Sequence, residues 1–115
     1  MQKSVITIEV MRDNNNITEA ITWNATDSTA SMMQKAKAMC IGFWDEQDKS
    51  ALTLDLWTKE MMVDEMADFF YQMMMAMSDT FQRSTNQGEL STDMKTFANN
   101  FIKKFQALQL KEQKQ

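Results

Sequence analysis

The chain reads as an α+β domain in the order ββαβαα, a three-stranded, at least partly antiparallel sheet with three helices packed largely on one face. Two patterns predict this. Apolar residues alternate over residues 4–11, 17–24 and Ala51–Trp57, as in half-buried strands. Beyond Val63 they recur by threes and fours, as on amphipathic helices. The scale agrees: 115 residues support a single domain, and 43% apolar with 24% charged residues is a globular composition.

Each element follows from its residues. In the first strand Ile6, Ile8 and Val10 share a face. Asp13-Asn14-Asn15-Asn16 then supplies residues that tolerate the left-handed backbone of a tight turn. The second strand returns with Ile17, Ile21 and Trp23 on its apolar side and Glu19 as an exception near the turn. Asp27-Ser28-Thr29 can accept hydrogen bonds from the first N–H groups of a helix, and Met32, Met33, Ala36, Met39, Cys40 and Phe43 follow at helical spacing. The first helix is therefore expected over residues 29–44, although Gly42 costs it about 1 kcal/mol relative to Ala. Residues 45–50 are a polar loop. In the third strand Leu52, Leu54 and Leu56 face the core, while Thr53, Asp55 and Trp57 face away. The second helix opens at Val63, with Asp64 and Glu65 offsetting the positive end of its dipole, and turns Met66, Phe69, Phe70, Met73, Met74, Met77 and Phe81 inward. Asn86-Gln87-Gly88 breaks it. Ser91 and Asp93 start a third helix that buries Met94, Phe97, Ala98, Phe101, Phe105 and Leu108, and residues 109–115 form a frayed tail.

Charge and residue inventory exclude several function classes. Twelve basic against 16 acidic residues leave a net charge of −4, so no overall positive field attracts nucleic acid. Without histidine there is no Ser–His or Cys–His nucleophile pair and no ordinary zinc or heme ligand set, and the single Cys40 cannot form an internal disulfide. No catalytic, cofactor-binding or metal residue is assigned, and no enzymatic activity is expected. Asp45, Glu46 and Asp48 crowd one loop but lack the ligand spacing and turn glycine of a calcium loop. Asp64 and Asp68 lie four apart on a helix, where dipole compensation and a solvated face account for them. Met61-Met62 and Met73-Met74-Met75-Ala76-Met77 have a thioether spacing that suits Cu(I). Met66, Met73, Met74 and Met77 already belong to the apolar stripe, however, so adaptable core filling explains most of this cluster better. No apolar run approaches the roughly 20 residues that span a bilayer, and Glu9 interrupts the opening residues before a signal-type segment develops. A cytoplasmic protein without membrane insertion is expected.

What these accounts leave over is Trp57, directed opposite to Leu52, Leu54 and Leu56 and flanked by Asp55 and Lys59. Aromatic area beside a carboxylate and an ammonium suits an interface, so Asp55, Trp57 and Lys59, with Asp64 and Glu65 at the following helix start, are the candidate protein-binding residues. A covering loop would explain Trp57 equally well.

The run Leu56-Trp57-Thr58-Lys59-Glu60-Met61-Met62-Val63-Asp64-Glu65-Met66, followed by Phe69-Phe70 and Asp79-Thr80-Phe81-Gln82-Arg83, resembles the GldC family of gliding motility-associated proteins of Bacteroidota. The likeness extends more loosely to Ile21-Thr22-Trp23-Asn24-Ala25 and Phe43-Trp44-Asp45. Family members often carry proline where Met62 stands, a residue that would fix the backbone at the helix start. The resemblance implies a cytoplasmic accessory of the gliding machinery with no assigned reaction. Two function classes follow: an accessory or adaptor that binds a protein, either a motility component or another copy of itself, and alternatively a small domain holding an apolar ligand between sheet and helices.

Overall fold

The computed structural model describes residues 2–113. It holds five strands, β1 (Ile6–Arg12), β2 (Thr18–Ala25), β3 (Gln34–Ala36), β4 (Ala38–Trp44) and β5 (Ala51–Trp57), followed by two helices, α1 (Val63–Thr85) and α2 (Gly88–Gln113). The strands form a three-stranded sheet, β1-β2-β3, and a two-stranded one, β4-β5, antiparallel throughout. This corrects the expected ββαβαα order with three helices on one three-stranded sheet. The chain divides into two compact units, residues 1–61 and 62–115, which are described separately.

In the first unit the β1–β2 turn is organised by Asp13. Its carboxylate accepts the N–H groups of Asn15 at 2.9 Å and Ile17 at 3.0 Å, and Asn16 takes the left-handed backbone with φ 65°. The pairing then steps from Met11↔Ala20 to Arg12↔Thr18, which leaves Glu19 as an extra residue on β2. That bulge explains the Glu19 exception. It also overturns the expected inward facing of Ile17, because one inserted residue reverses the side chains before it: Thr18 is buried and Ile17 exposed.

The segment expected as the first helix is two strands. Asp27-Ser28-Thr29 builds a turn instead of a cap: the Ser28 hydroxyl donates to the Ala25 carbonyl at 2.8 Å and accepts the Ala30 N–H at 3.0 Å, with Asp27 left-handed at φ 59°. β3 pairs with β2, the chain bends at Lys37, and β4 pairs with β5. The bend resets the alternation, so Ala36, Met39 and Ile41 line one groove with Ile6, Ile8, Ile21 and Trp23. Thr58 braces it. Its N–H and hydroxyl both donate to the Lys37 carbonyl at 2.7 Å, and the Lys59 N–H reaches the Thr18 carbonyl at 3.2 Å. Leu52 and Leu54, expected in the core, are 56% and 51% exposed, because β4–β5 is a two-strand ribbon whose apolar side also presents Phe43.

The second unit is an antiparallel helical hairpin. α1 begins at Val63 as expected and ends at Thr85, and the left-handed backbone of the following Asn86 (φ 56°) lets its N–H cap the Gln82 carbonyl at 2.8 Å. α2 starts at Gly88, before the expected Ser91, and continues through Gln113. Residues 114 and 115 of the expected tail lie outside the described residues. The helices approach along small residues, Ala67 and Ser78 on α1 and Ser91 and Ala98 on α2, all buried. The Ser78 and Ser91 hydroxyl oxygens lie 2.6 Å apart, and each hydroxyl is placed to donate to the other residue's carbonyl, at 2.7 and 3.0 Å. Phe70, expected in the core, is instead exposed.

Candidate functional site

The register of β4 and β5 decides which side chains surround Trp57. Ala38↔Trp57, Cys40↔Asp55, Gly42↔Thr53 and Trp44↔Ala51 are directly opposed and therefore share a face. Asp55 and Trp57 are brought together there, turned away from Leu52, Leu54 and Leu56. The residues between are small: a Cβ added at Gly42 would meet nothing within 4 Å. The result is a shallow strip with Trp57, half-buried, at one corner and Trp44, 71% exposed, at the diagonal one. Trp44 was missed in the sequence because a helix over residues 29–44 places it elsewhere. Strand alternation read from Ala38 onward would have found it.

Asp55 sits opposite Cys40 and accepts a hydrogen bond from its thiol. That bond, followed by partial desolvation and the Asp55 charge, pushes the Cys40 thiol above its ordinary value. A protonated thiol is a poor nucleophile, so the pair is a polar contact and not an activated cysteine.

The other candidate residues have structural partners. The Lys59 ammonium lies 3.1 Å from the Asp13 carboxylate and 3.6 Å from that of Glu19, tying the end of β5 to the β1–β2 turn. The Asp13 carboxyl is held below its ordinary value by the Ile17 N–H first and the Lys59 hydrogen bond second, and Lys59 is raised in return, chiefly by Asp13. Glu65 accepts the Met62 N–H at 3.1 Å, and Asp64 accepts that of Glu65 at 2.9 Å. These bonds satisfy donors at the α1 start that have no partner within the helix. Met62, unlike a proline, carries an N–H, and Glu65 accepts it.

Among the described residues, no three Cys, Asp or Glu side chains are grouped to hold a metal ion, and no helix is long and apolar enough to cross a membrane.

Residues 18–107 match the family model described as gliding motility-associated protein GldC-like. The chain belongs to the GldC-like family. The match starts at the first residue of β2 and ends inside α2, so it takes in the Trp44–Trp57 strip, both helix starts and the small-residue seam, and leaves β1 outside. No curated protein and no solved structure matches the chain. Membership carries the association with gliding motility, and the GldC-like description names no reaction.

Proposed function

We propose that this GldC-like protein is a non-enzymatic accessory of the gliding machinery that works in the cytoplasm by protein contact, through the strip bearing Asp55, Trp57 and Trp44. The supporting observation is the strip itself. Two tryptophans stand at opposite corners of a ribbon whose intervening residues are small, and one carboxylate lies between them. Large aromatics beside small, mostly uncharged neighbours are common anchors of protein interfaces. A two-stranded ribbon is also marginal alone, and a docked partner would stabilise it. One unpaired thiol and 13 methionines suit a reducing compartment.

In the first unit an apolar ligand, the alternative, would meet a groove of about 160 Å³ lined by Ile6, Ile8, Ile21, Trp23, Met39 and Ile41, and a larger one of about 440 Å³ bordered by the charged Glu19, Lys35, Lys37 and Glu60. The apolar groove is below the roughly 300 Å³ at which small-molecule sites begin and the larger one is polar, which favours contact over an apolar ligand in this unit. Pull-downs from gliding-cell lysate with the wild type, Trp44→Ala and Trp57→Ala test the choice, alongside native mass spectrometry of the purified protein. A recurring motility protein lost with Trp44→Ala, while the fold is retained, supports the proposal. Unchanged capture by both variants, or a small molecule retained by the wild type, refutes it.

A further inference from the structure

The most exposed large apolar side chains of the helical hairpin lie beside its seam. At about 100° per residue, Ala67 and Ser78 fall on one line of α1, and Ser91 and Ala98 on one line of α2. Phe70 and Met77 lie roughly 80–100° round from the first line, and Leu90, Phe97 and Leu108 roughly 100–120° round from the second. Because the helices run antiparallel, these two flanks fall on the same side of the hairpin. Met94 of α2 accordingly shares one shallow groove with Met73, Met77 and Phe81 of α1. The opposite side is polar: Lys95 pairs with Asp79 at 2.8 Å, and the Tyr71 hydroxyl donates to Asn99 at 3.2 Å. The hairpin is thus amphipathic as a unit.

We infer that this face is the contact by which two copies of the chain associate, hairpin on hairpin, as a four-helix bundle. Its area is the first argument. Val63, Phe70, Met77, Leu90, Phe97 and Leu108 are 44–67% exposed. At roughly 200 Å² for a fully exposed large side chain they present about 600 Å², and their half-buried neighbours bring this to about 800 Å² per copy. Two copies would bury about 1,600 Å², the size of a standard stable interface and well above a casual contact. Charge is the second argument. Between Met66 and Leu108 α1 sets no charge on the face, and on α2 Asp93 and Lys104, of opposite sign, flank Phe97, so two identical faces meet without net repulsion. A two-fold contact places the same patch on both sides, and a largely apolar face without net charge, formed equally by two antiparallel helices, is self-complementary in that way. Small-residue seams within each hairpin and large apolar side chains between hairpins also give a bundle its alternation of close and wide helix spacing.

Light scattering during size exclusion of the full chain, over a range of concentrations, tests this. The wild type is expected at the mass of two chains. Phe97→Glu sets a carboxylate at the centre of the face without touching the seam. It is expected to weaken association at least roughly 30-fold with helical circular dichroism unchanged. Leu108→Glu, one helical face-length away, should do the same if Phe97→Glu does not fold. Lys103→Glu on the opposite flank should leave the dimer intact. A wild type with the mass of one chain at every concentration overturns the inference, and so does a dimer that survives both glutamate substitutions. Neither outcome depends on capture through Trp44 and Trp57.

Discussion

Removing one hydroxyl from the buried Ser78–Ser91 pair should cost the helical hairpin about 1–1.5 kcal/mol, and removing both should cost little more. The asymmetry comes from the geometry. Ser78 is fully buried, its oxygen lies 2.6 Å from that of Ser91, and each hydroxyl can reach the opposing carbonyl. Ser78→Ala removes one donated hydrogen bond, worth about 1 kcal/mol net, and leaves the Ser91 oxygen in a dry seam with one partner fewer. Ser91→Ala does the converse. In the double alanine variant both polar groups are gone and the seam becomes apolar and nearly isosteric, so the second substitution relieves the desolvation that the first created. A coupling of about 1 kcal/mol follows, with the double variant near 1–1.5 kcal/mol instead of the 2–3 kcal/mol of simple addition. Urea melts of the four chains followed by helical circular dichroism measure it, since two alanines barely alter the surface exposed on unfolding and midpoints can be compared directly. Additivity within about 0.5 kcal/mol would refute the reasoning, because the two hydroxyls would then be satisfied independently of each other.

Two further outcomes follow from the titrating groups of the first unit. Asp13 is lowered from 3.8, so its contribution is present above that pH and is lost as pH falls through the lower folded value. Lys59 is raised from 10.5, so its contribution is present below that pH and is lost as pH rises through the higher folded value. Asp13→Asn should therefore lower the melting temperature near neutrality and flatten its fall in acid. An acid limb identical to that of the wild type would show that the turn does not depend on the charged carboxylate. Asp55→Asn removes the group that holds the Cys40 thiol up, so alkylation of Cys40 near pH 8 should become faster. An unchanged rate would mean that the thiol–carboxylate contact does not form in solution.

How far the fold was legible depends on whether one periodicity or two were present. β5 could be read to its ends, because Ala51–Trp57 alternates with no competing helical spacing, and the α1 start at Val63 was marked by Asp64 and Glu65. Residues 29–44 carried both signals. Met32, Met33, Ala36, Met39, Cys40 and Phe43 satisfy a helical stripe, whereas Met39, Ile41 and Phe43 satisfy a strand. The bend at Lys37 breaks the alternation that would have decided the matter. Gly42 and the run Ile41 to Trp44 were the local signs of strand, since glycine disfavours a helix interior and β-branched and aromatic residues favour pleated surface. A bulge hides in the same way: Glu19 looks like a polar intruder on an apolar face until pairing makes it the extra residue.

The candidate site was legible in its strand half and less so at the helix start. Alternation alone put Asp55 and Trp57 on one side of β5, and the register added Trp44 from β4. Lys59 and Glu65 could not be interpreted from spacing, because their partners, Asp13 with Glu19 for the first and the Met62 N–H for the second, are set by the turn and by the helix start. On the helices, the stripe was correctly apolar, and its role was misassigned at Phe70, Met77, Phe97 and Leu108, which are exposed. A stripe shows which side of a helix avoids water and does not say what covers it. The deciding residues are the small ones beside it, for Ala67 and Ser78 are eleven apart and Ser91 and Ala98 seven apart, intervals that return to the same side of a helix. Small residues at such intervals let two backbones approach closely, and the large side chains on the flank then stay outside the seam. An amphipathic helix with small residues beside its stripe is therefore a helix with two contacts, one to its neighbour through the seam and one outward through the stripe. In this chain the outward face is the one assigned to the second copy.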